Sequence, residues 1–243
     1  MGKVVEYMPS CHSTNDIAHE MLVSTDIKEG TFVITDHQLA GKGQRGNSWF
    51  SAEGKNLTFS IILKPGFLSV DKQFYLNMVG SLAVKAVLKE LASDAHVEVK
   101  WPNDIILNGR KACGILIENS VRKSNIEYSI VGIGLNVNQR SIGLERATSI
   151  VNEANREYGL QEVLDLLLGH LESLYLRLKS GKEKEIKEQY LGSLLGYKRL
   201  RKYRAEYIFD GEIIDVRDSG HLEIRTPVGS ELFDFKEVEF IWN

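Results

Sequence analysis

The sequence predicts an α+β protein: a mixed, largely antiparallel sheet carries packed helices and is followed by a small all-β barrel. Three observations predict it. Asn108-Gly109 stands between apolar runs, the strongest short signal for a β-hairpin. Residues 160–180 carry Val163, Leu164, Leu167, Leu168, Leu171, Leu174, Tyr175 and Leu178 on one helical stripe. From Gly196 the texture changes to short alternating strands, with breaks expected at Asp210-Gly211, Ser219-Gly220 and Gly229-Ser230.

Taken in order, a short first strand leads to His12-Ser13-Thr14-Asn15-Asp16, where Ser13 and Asp16 suit the start of a polar helix. Thr31-Phe32-Val33-Ile34-Thr35 and Leu57 to Leu63 are rich in β-branched and aromatic residues and predict strands. Phe74, Met78, Leu82, Val87 and Leu91 recur at helical spacing and predict a buried amphipathic helix over 71–92. Strands follow at Val97 to Lys100, Asp104 to Leu107, Lys111 to Glu118 and Glu127 to Val137. After the 160–180 helix, a second polar helix reaches about Leu195, which places a domain boundary there: 1–195 and 196–243.

At 243 residues, 43% hydrophobic and 26% charged, the chain is long enough for one substantial core and a small second one. A formal charge of -3 argues against non-specific nucleic-acid binding as the main task. Cys11 and Cys113 are too few for a disulfide framework and lack metal-ligand spacing, so a reducing cytoplasm is the expected compartment. Met1-Gly2-Lys3-Val4-Val5-Glu6 has no apolar signal-peptide core, and no segment approaches the length of a membrane span.

Gly41, Gly43 and Gly46 stand in the spacing G-x-G-x-x-G, with Lys42 and Arg45 between them. A dinucleotide fingerprint requires a helix directly after the glycines and an acidic residue about twenty positions on. Here the chain runs through Asn47-Ser48-Trp49-Phe50-Ser51 into another strand, and no Asp or Glu lies between Glu53 and Asp71. The segment therefore predicts a flexible loop between strands, with cations and backbone amides able to meet a phosphate. Its glycines predict mobility until a ligand orders it.

If Asn108 and Gly109 are the turn, Leu107 pairs with Arg110, Ile106 with Lys111, Ile105 with Ala112 and Asp104 with Cys113. Asp104, Ile106, Lys111 and Cys113 are then expected on one face. Lys100, Lys111, Lys42 and Arg45 form a set of cations able to surround a polyphosphate, with Asp104 as an acid for a metal ion.

Read together, STN (Ser13 to Asn15), QLAGKGQRGNSW (Gln38 to Trp49), KWPND (Lys100 to Asp104), RKACGILIE (Arg110 to Glu118), VGIGLNV (Val131 to Val137) and ATS (Ala147 to Ser149) resemble biotin protein ligases, in order and from about residue 5 onward. The resemblance implies a catalytic domain of the class II aminoacyl-tRNA synthetase and biotin ligase type over 1–195, and an SH3-like β-barrel over 196–243. It implies ATP and biotin as substrates with Mg2+, a biotinyl-5'-AMP intermediate, and transfer to a lysine of the biotin carboxyl carrier domain of acetyl-CoA carboxylase or a related enzyme. Ser13, Thr14 and Gln38 would bind the ureido end of biotin, and Asn15, Gly41, Lys42, Gly114 and Gly132 would complete the biotin site. Lys111 would lie by the biotin carboxylate and the α-phosphate. Lys100, Lys42 and Arg45 would hold phosphates, with Gly43 and Gln44 in the same loop, and Asp104 would position magnesium or a lysine. Trp49, Asn103 and Asn136 would shape the adenine pocket.

Two departures carry expectations of their own. Members of the family often read G-R-G-R-R-G in the loop, where this chain has Lys42 and Gln44. Lys keeps charge without the bidentate fork, and Gln44 loses the charge, so faster escape of the adenylate is expected. Some members carry a helix-turn-helix domain ahead of the ligase. Here the first strand starts almost at Met1, which implies a monofunctional ligase without specific DNA binding. The resemblance leaves monomer or homodimer open and implies no membrane partner. The nearest rivals are a lipoate or octanoate protein ligase or transferase, and a regulator that binds biotinyl-AMP without transferring it.

Overall fold

The computed structural model describes residues 1–243 apart from Lys3, Thr25 and Asn243, and all their side chains except those of Ser24 and Arg45. β1 (Val5–Cys11), α1 (Thr14–Ser24), β2 (Thr31–Gln38) and β3 (Leu57–Leu63) come first. α2 (Phe74–Leu91) leads into β4 (Val97–Lys100), β5 (Asp104–Leu107), β6 (Arg110–Arg122) and β7 (Asn125–Leu135). Then come α3 (Ile150–Ala154), α4 (Leu160–Lys179) and α5 (Glu183–Leu191). The chain ends with β8 (Leu200–Arg204), β9 (Ile208–Val216), β10 (Leu222–Thr226), β11 (Gly229–Phe233) and β12 (Glu239–Phe240).

The first seven strands form one sheet in the order β1-β2-β3-β7-β6-β5-β4. Only the β1–β2 pair, joined across α1, is parallel. The period-2 rule decides which residues face which side. From β3 and β7, Leu57, Phe59, Ile61, Leu63, Val131, Ile133 and Leu135 enter the main core with α2 and α4, whereas Ile62 and Ile130 join a small second core under α1 with Ala18, Ile27 and Val33. α2 is buried almost all round, because the sheet lies on one side of it and α4 and α5 on the other. The α1 face of the sheet is only partly covered, and the uncovered part becomes the cavity described below.

The last five strands form an antiparallel sheet in the order β11-β10-β9-β8-β12. No pairing joins β11 to β12 among the described residues, so the all-β unit expected at the C-terminus is present as one sheet without closure into a barrel among those residues. The expected break at Asp210-Gly211 is absent, since β9 runs straight through it. Gly211 serves packing there: a Cβ would strike the Ile224 side chain on β10. The third turn lies at Pro227-Val228, because Gly229 already pairs with Thr226. The turn at Ser219-Gly220 stands, with Gly220 at φ +101°.

Trp101 joins the two sheets. Its indole is buried, donates from Nε1 to the Gly220 carbonyl at 2.8 Å, and packs on Phe235 with ring centroids 5.3 Å apart. Three cations of the basic run over 198–204 sit in surface ion pairs: Arg199 meets Glu98 at 3.8 Å, Lys202 meets Asp210 at 3.1 Å and Arg204 meets Glu239 at 3.5 Å. Among the described residues, no helix is long and apolar enough to cross a membrane.

Candidate active site

The uncovered face of the first sheet floors a cavity of about 670 Å³. One cross-strand row makes that floor, Gly134 on β7 beside Gly114 on β6, then Asp104 on β5 and Lys100 on β4. Its two glycines leave bare backbone. Trp49, from the glycine loop, lies on it: a Cβ on Gly134 would fall within the indole, and one on Gly114 would come within 3.1 Å of it.

At one end of the row the groups are neutral and polar. Ser13 precedes α1 and Thr14 opens it, and the Thr14 N–H, an orphan donor of the first turn, donates to Gln38 Oε1 at 2.8 Å. The helix is therefore capped by the side chain at the end of β2, and Asp16, expected to cap, pairs instead with Lys42. Thr14 Oγ1 lies 2.7 Å from Ser60 Oγ, which lies 2.6 Å from Asn15 Oδ1. Asn15 Nδ2 donates to Glu118 Oε2 at 2.5 Å, and His19 stands 3.6 Å from the same oxygen. Gly132 is required beneath Asn15, because a Cβ there would overlap its amide oxygen.

At the other end are charges. Lys111 Nζ lies 2.6 Å from Asp104 Oδ1, and Lys100 Nζ lies 3.5 Å from Oδ2. The hairpin that brings them together differs from the regular one expected. Leu107 pairs with Arg110 and Ile106 with Lys111, but a β-bulge at Ala112 then sets Ile105 against Cys113 and Asp104 against Gly114. The extra residue takes Cys113 off the shared face into the core, and puts Gly114 there with Lys111. Burial pushes the Cys113 thiol well above its ordinary pKa, so it is no nucleophile. The ATS segment braces the bulge: Lys111 N–H donates to the Arg146 carbonyl at 2.8 Å, and Thr148 N–H donates to that of Lys111 at 2.9 Å.

The glycine loop connects antiparallel β2 and β3, not a strand and a helix. Gly43 N–H donates to Asn47 O at 2.7 Å and Trp49 N–H to Gly41 O at 2.8 Å, around a 3-10 turn at Gln44–Gly46. Gly41 sits behind the cavity wall, where a Cβ would clash with the Trp49 carbonyl. Lys42 lines the cavity, but its ammonium rests on the Asp16 carboxylate, whose hydrogen bond holds it above the ordinary lysine range. The Arg45 side chain, assigned to phosphate from the sequence, lies outside the described residues. Asn103 lines the cavity, while its amide is tied to the Ile115 carbonyl at 2.6 Å. Asn136 does not line it: its amide donates to the Thr148 carbonyl at 2.9 Å and holds the ATS segment to the sheet.

Sequence reasoning missed the fourth wall. Val238, Phe240 and Trp242 from the C-terminal sheet line the cavity, and Lys100 Nζ sits 5.6 Å from the Phe240 ring centre. Their sequence signal is a short apolar run near the end of the chain, Val238, Phe240, Ile241 and Trp242, broken by Glu239.

The site sets neutral polar groups at one end of a glycine floor and a Lys–Asp–Lys cluster at the other, the makeup of a class of protein that binds a small polar acid beside an anion. The chain belongs to the biotin/lipoate A/B protein ligase family, whose model matches residues 7–136. It is 30% identical over 245 residues to the bifunctional ligase/repressor BirA of Bacillus spizizenii, covering 98% of this chain and 74% of that protein. It is 29% identical over 242 residues to the biotin–[acetyl-CoA-carboxylase] ligase of Paracoccus denitrificans, covering 94% of this chain and 97% of the relative. The fold matches the biotin protein ligase of Aquifex aeolicus, solved in complex with biotin and ATP, with a TM-score of 0.82 and 27% identity over 99% of this chain and all of the other.

Proposed function

We propose that this protein attaches biotin to a carrier-domain lysine at the expense of ATP, through biotinyl-5'-AMP. The observation that carries this reading is the spacing of one neutral polar end and one cationic end across a glycine floor. In the first step a biotin carboxylate oxygen bonds to the α-phosphorus of ATP while the bond from that phosphorus to the pyrophosphate oxygen breaks. In the second, the carrier lysine nitrogen bonds to the acyl carbon and AMP departs with the oxygen.

Charge moves during both steps, and no side-chain nucleophile is needed. Lys111 lies where carboxylate and α-phosphate would meet, and its ammonium offsets the negative charge gathered there. Asp104 holds Lys111 in place from one oxygen and Lys100 from the other. Trp49 Nε1 is buried with no hydrogen-bond partner among the described residues, a donor suited to an acceptor on the ligand. Lys42 and Arg45 are assigned to phosphate, which requires Lys42 to leave Asp16 when the loop closes.

Magnesium is not fitted by these residues as a protein-held ion. Asp104 is a single carboxylate already bonded to two ammonium groups, and the described residues contain no cluster of three metal-ligating side chains. No step is therefore assigned to a protein-bound metal. The division into 1–195 and 196–243, cytoplasmic location and the absence of specific DNA binding are part of the same proposal.

The test is radiolabelled pyrophosphate exchange into ATP with biotin, lipoate or octanoate. Exchange with biotin alone is expected, and exchange with either fatty acid instead would move the protein to the lipoate branch. The Ser13, Thr14, Asn15 and Gln38 end argues for biotin, because it offers a polar ring hydrogen-bonding groups that a saturated acyl chain cannot use. Two further outcomes are expected. Gln44→Arg should lengthen the half-life of bound biotinyl-AMP, by about five- to tenfold for one added charge-assisted hydrogen bond; equal half-lives in a filter-retention chase would refute the loop argument. Gly134→Ala should raise the KM for ATP roughly tenfold by displacing the indole, with the KM for biotin changed much less.

A further inference from the structure

We propose that Glu118, which does not line the cavity, sets the direction of the hydrogen bonds at its polar end and thereby makes Thr14 an acceptor that selects a ring N–H over a ring oxygen. The inference rests on the biotin reading and adds a remote specificity-determining residue to it.

The argument is a count of protons. Glu118 and Ser60 stand outside the cavity lining, whereas Thr14, Asn15 and Gln38 belong to it. As a carboxylate, Glu118 can only accept, so the Asn15 amide must turn its NH2 to Glu118 at 2.5 Å. Asn15 Oδ1 then faces Ser60 Oγ at 2.6 Å and has no proton to offer, so the Ser60 hydroxyl donates to it. That uses the single proton of Ser60. Its 2.7 Å contact with Thr14 Oγ1 must consequently be filled by the Thr14 proton. Thr14 Oγ1 has nothing left to donate, although it lies 3.2 Å from Gln38 Oε1, and it presents lone pairs to the cavity.

Gln38 completes the pattern. Its Oε1 accepts the Thr14 backbone N–H at 2.8 Å, which turns the Nε2 donors away from the helix. An acceptor beside a donor matches the adjacent N–H and C=O of a cyclic urea. The relay behind Glu118 is buried: Ser60, Thr14 and Asn15 are each at most 3% exposed, so water does not scramble the order among them, while the Glu118 side chain itself is 38% exposed.

Replacing Glu118 with glutamine keeps the shape and removes the constraint. An amide at 118 can donate to Asn15 Oδ1, Asn15 can turn over and donate to Ser60, Ser60 to Thr14, and Thr14 into the cavity. The reversed chain then accepts an analogue in which one ring N–H of biotin is replaced by oxygen, a cyclic carbamate.

The experiment is calorimetric titration of the full chain with biotin and with each of the two carbamate isomers, without ATP. Wild-type protein is expected to prefer biotin over its worse isomer by about a hundredfold or more, as sites built around a buried hydrogen bond do. Glu118→Gln should narrow that ratio to below about tenfold. Ser60→Ala, which cuts the chain by removing one hydroxyl, should narrow it as well and covers the case in which Glu118→Gln does not fold. In a Thr14→Val background Glu118→Gln should leave the ratio unchanged. Equal weakening of biotin and carbamate by Glu118→Gln, or a shift in ratio that persists with valine at 14, would overturn the proposal. Failure of the wild type to bind biotin at all would overturn the biotin reading itself, and this inference with it.

Discussion

Lys111→Ala is expected to lower the rate of biotin-dependent pyrophosphate exchange by about 10² to 10³, the range seen when one preorganised charge-stabilising group is removed from a reacting centre. The size follows from the position of the ammonium. It lies 2.6 Å from Asp104 and 5.5 Å from the centre of the Trp49 ring, pinned between a carboxylate and an indole, and so is already placed before substrates arrive. Preorganisation of this kind acts on the transition state more than on the ground state. The KM for biotin should move by less than about tenfold while kcat falls. A variant that loses biotin affinity and keeps kcat would show that Lys111 only binds the acid. Lys111→Arg should recover little, because the planar guanidinium cannot take the ammonium's place in the same slot.

Trp101→Ala is expected to destabilise the protein by about 3–5 kcal/mol, the usual consequence of truncating a large buried aromatic. The indole is 2% exposed and supplies both the ring contact to Phe235 and the hydrogen bond to the Gly220 carbonyl. Urea unfolding followed by far-UV circular dichroism measures it. Trp101→Phe keeps most of the packing and leaves one buried carbonyl without its donor, so a smaller loss of about 1–2 kcal/mol is expected. Because Pro102 and Asn103 line the cavity directly after Trp101, the alanine variant should also lose exchange activity at temperatures where it is still folded. Full activity in the folded variant would mean that the joint between the sheets does not hold the site.

Most of the framework was legible because it follows from short-range rules. The stripe over 160–180 became α4 over Leu160–Lys179, and Asn108-Gly109 turned the hairpin where it was expected to. Ser13, Thr14, Gln38, Trp49, Lys100, Asn103, Asp104, Lys111, Gly114 and Gly132 all meet at one cavity. What the sequence hid was long-range. The bulge at Ala112 has no Gly or Pro to announce it; the burial of Ala112 and Cys113 decides it, and that depends on the strand opposite and the helix behind. Nothing local indicates that Phe240 and Trp242 face Lys100 and Arg146 across the molecule. The Lys42–Asp16 pair joins residues 26 apart, so no local pattern announces that this lysine meets α1.

The bare backbone at the middle of the floor has a consequence for how this site can change. Gly114 and Gly134 admit no side chain under Trp49, so the ground between the two ends carries no letters that drift could rewrite. New substrate preferences must be written at the margins: among Thr14, Asn15, Gln38 and their supports for the ring of the acid, or among Lys100, Asp104 and Lys111 for its charge. A library selected on an altered acid should therefore return substitutions in two separated clusters, with the strip between them left as it is.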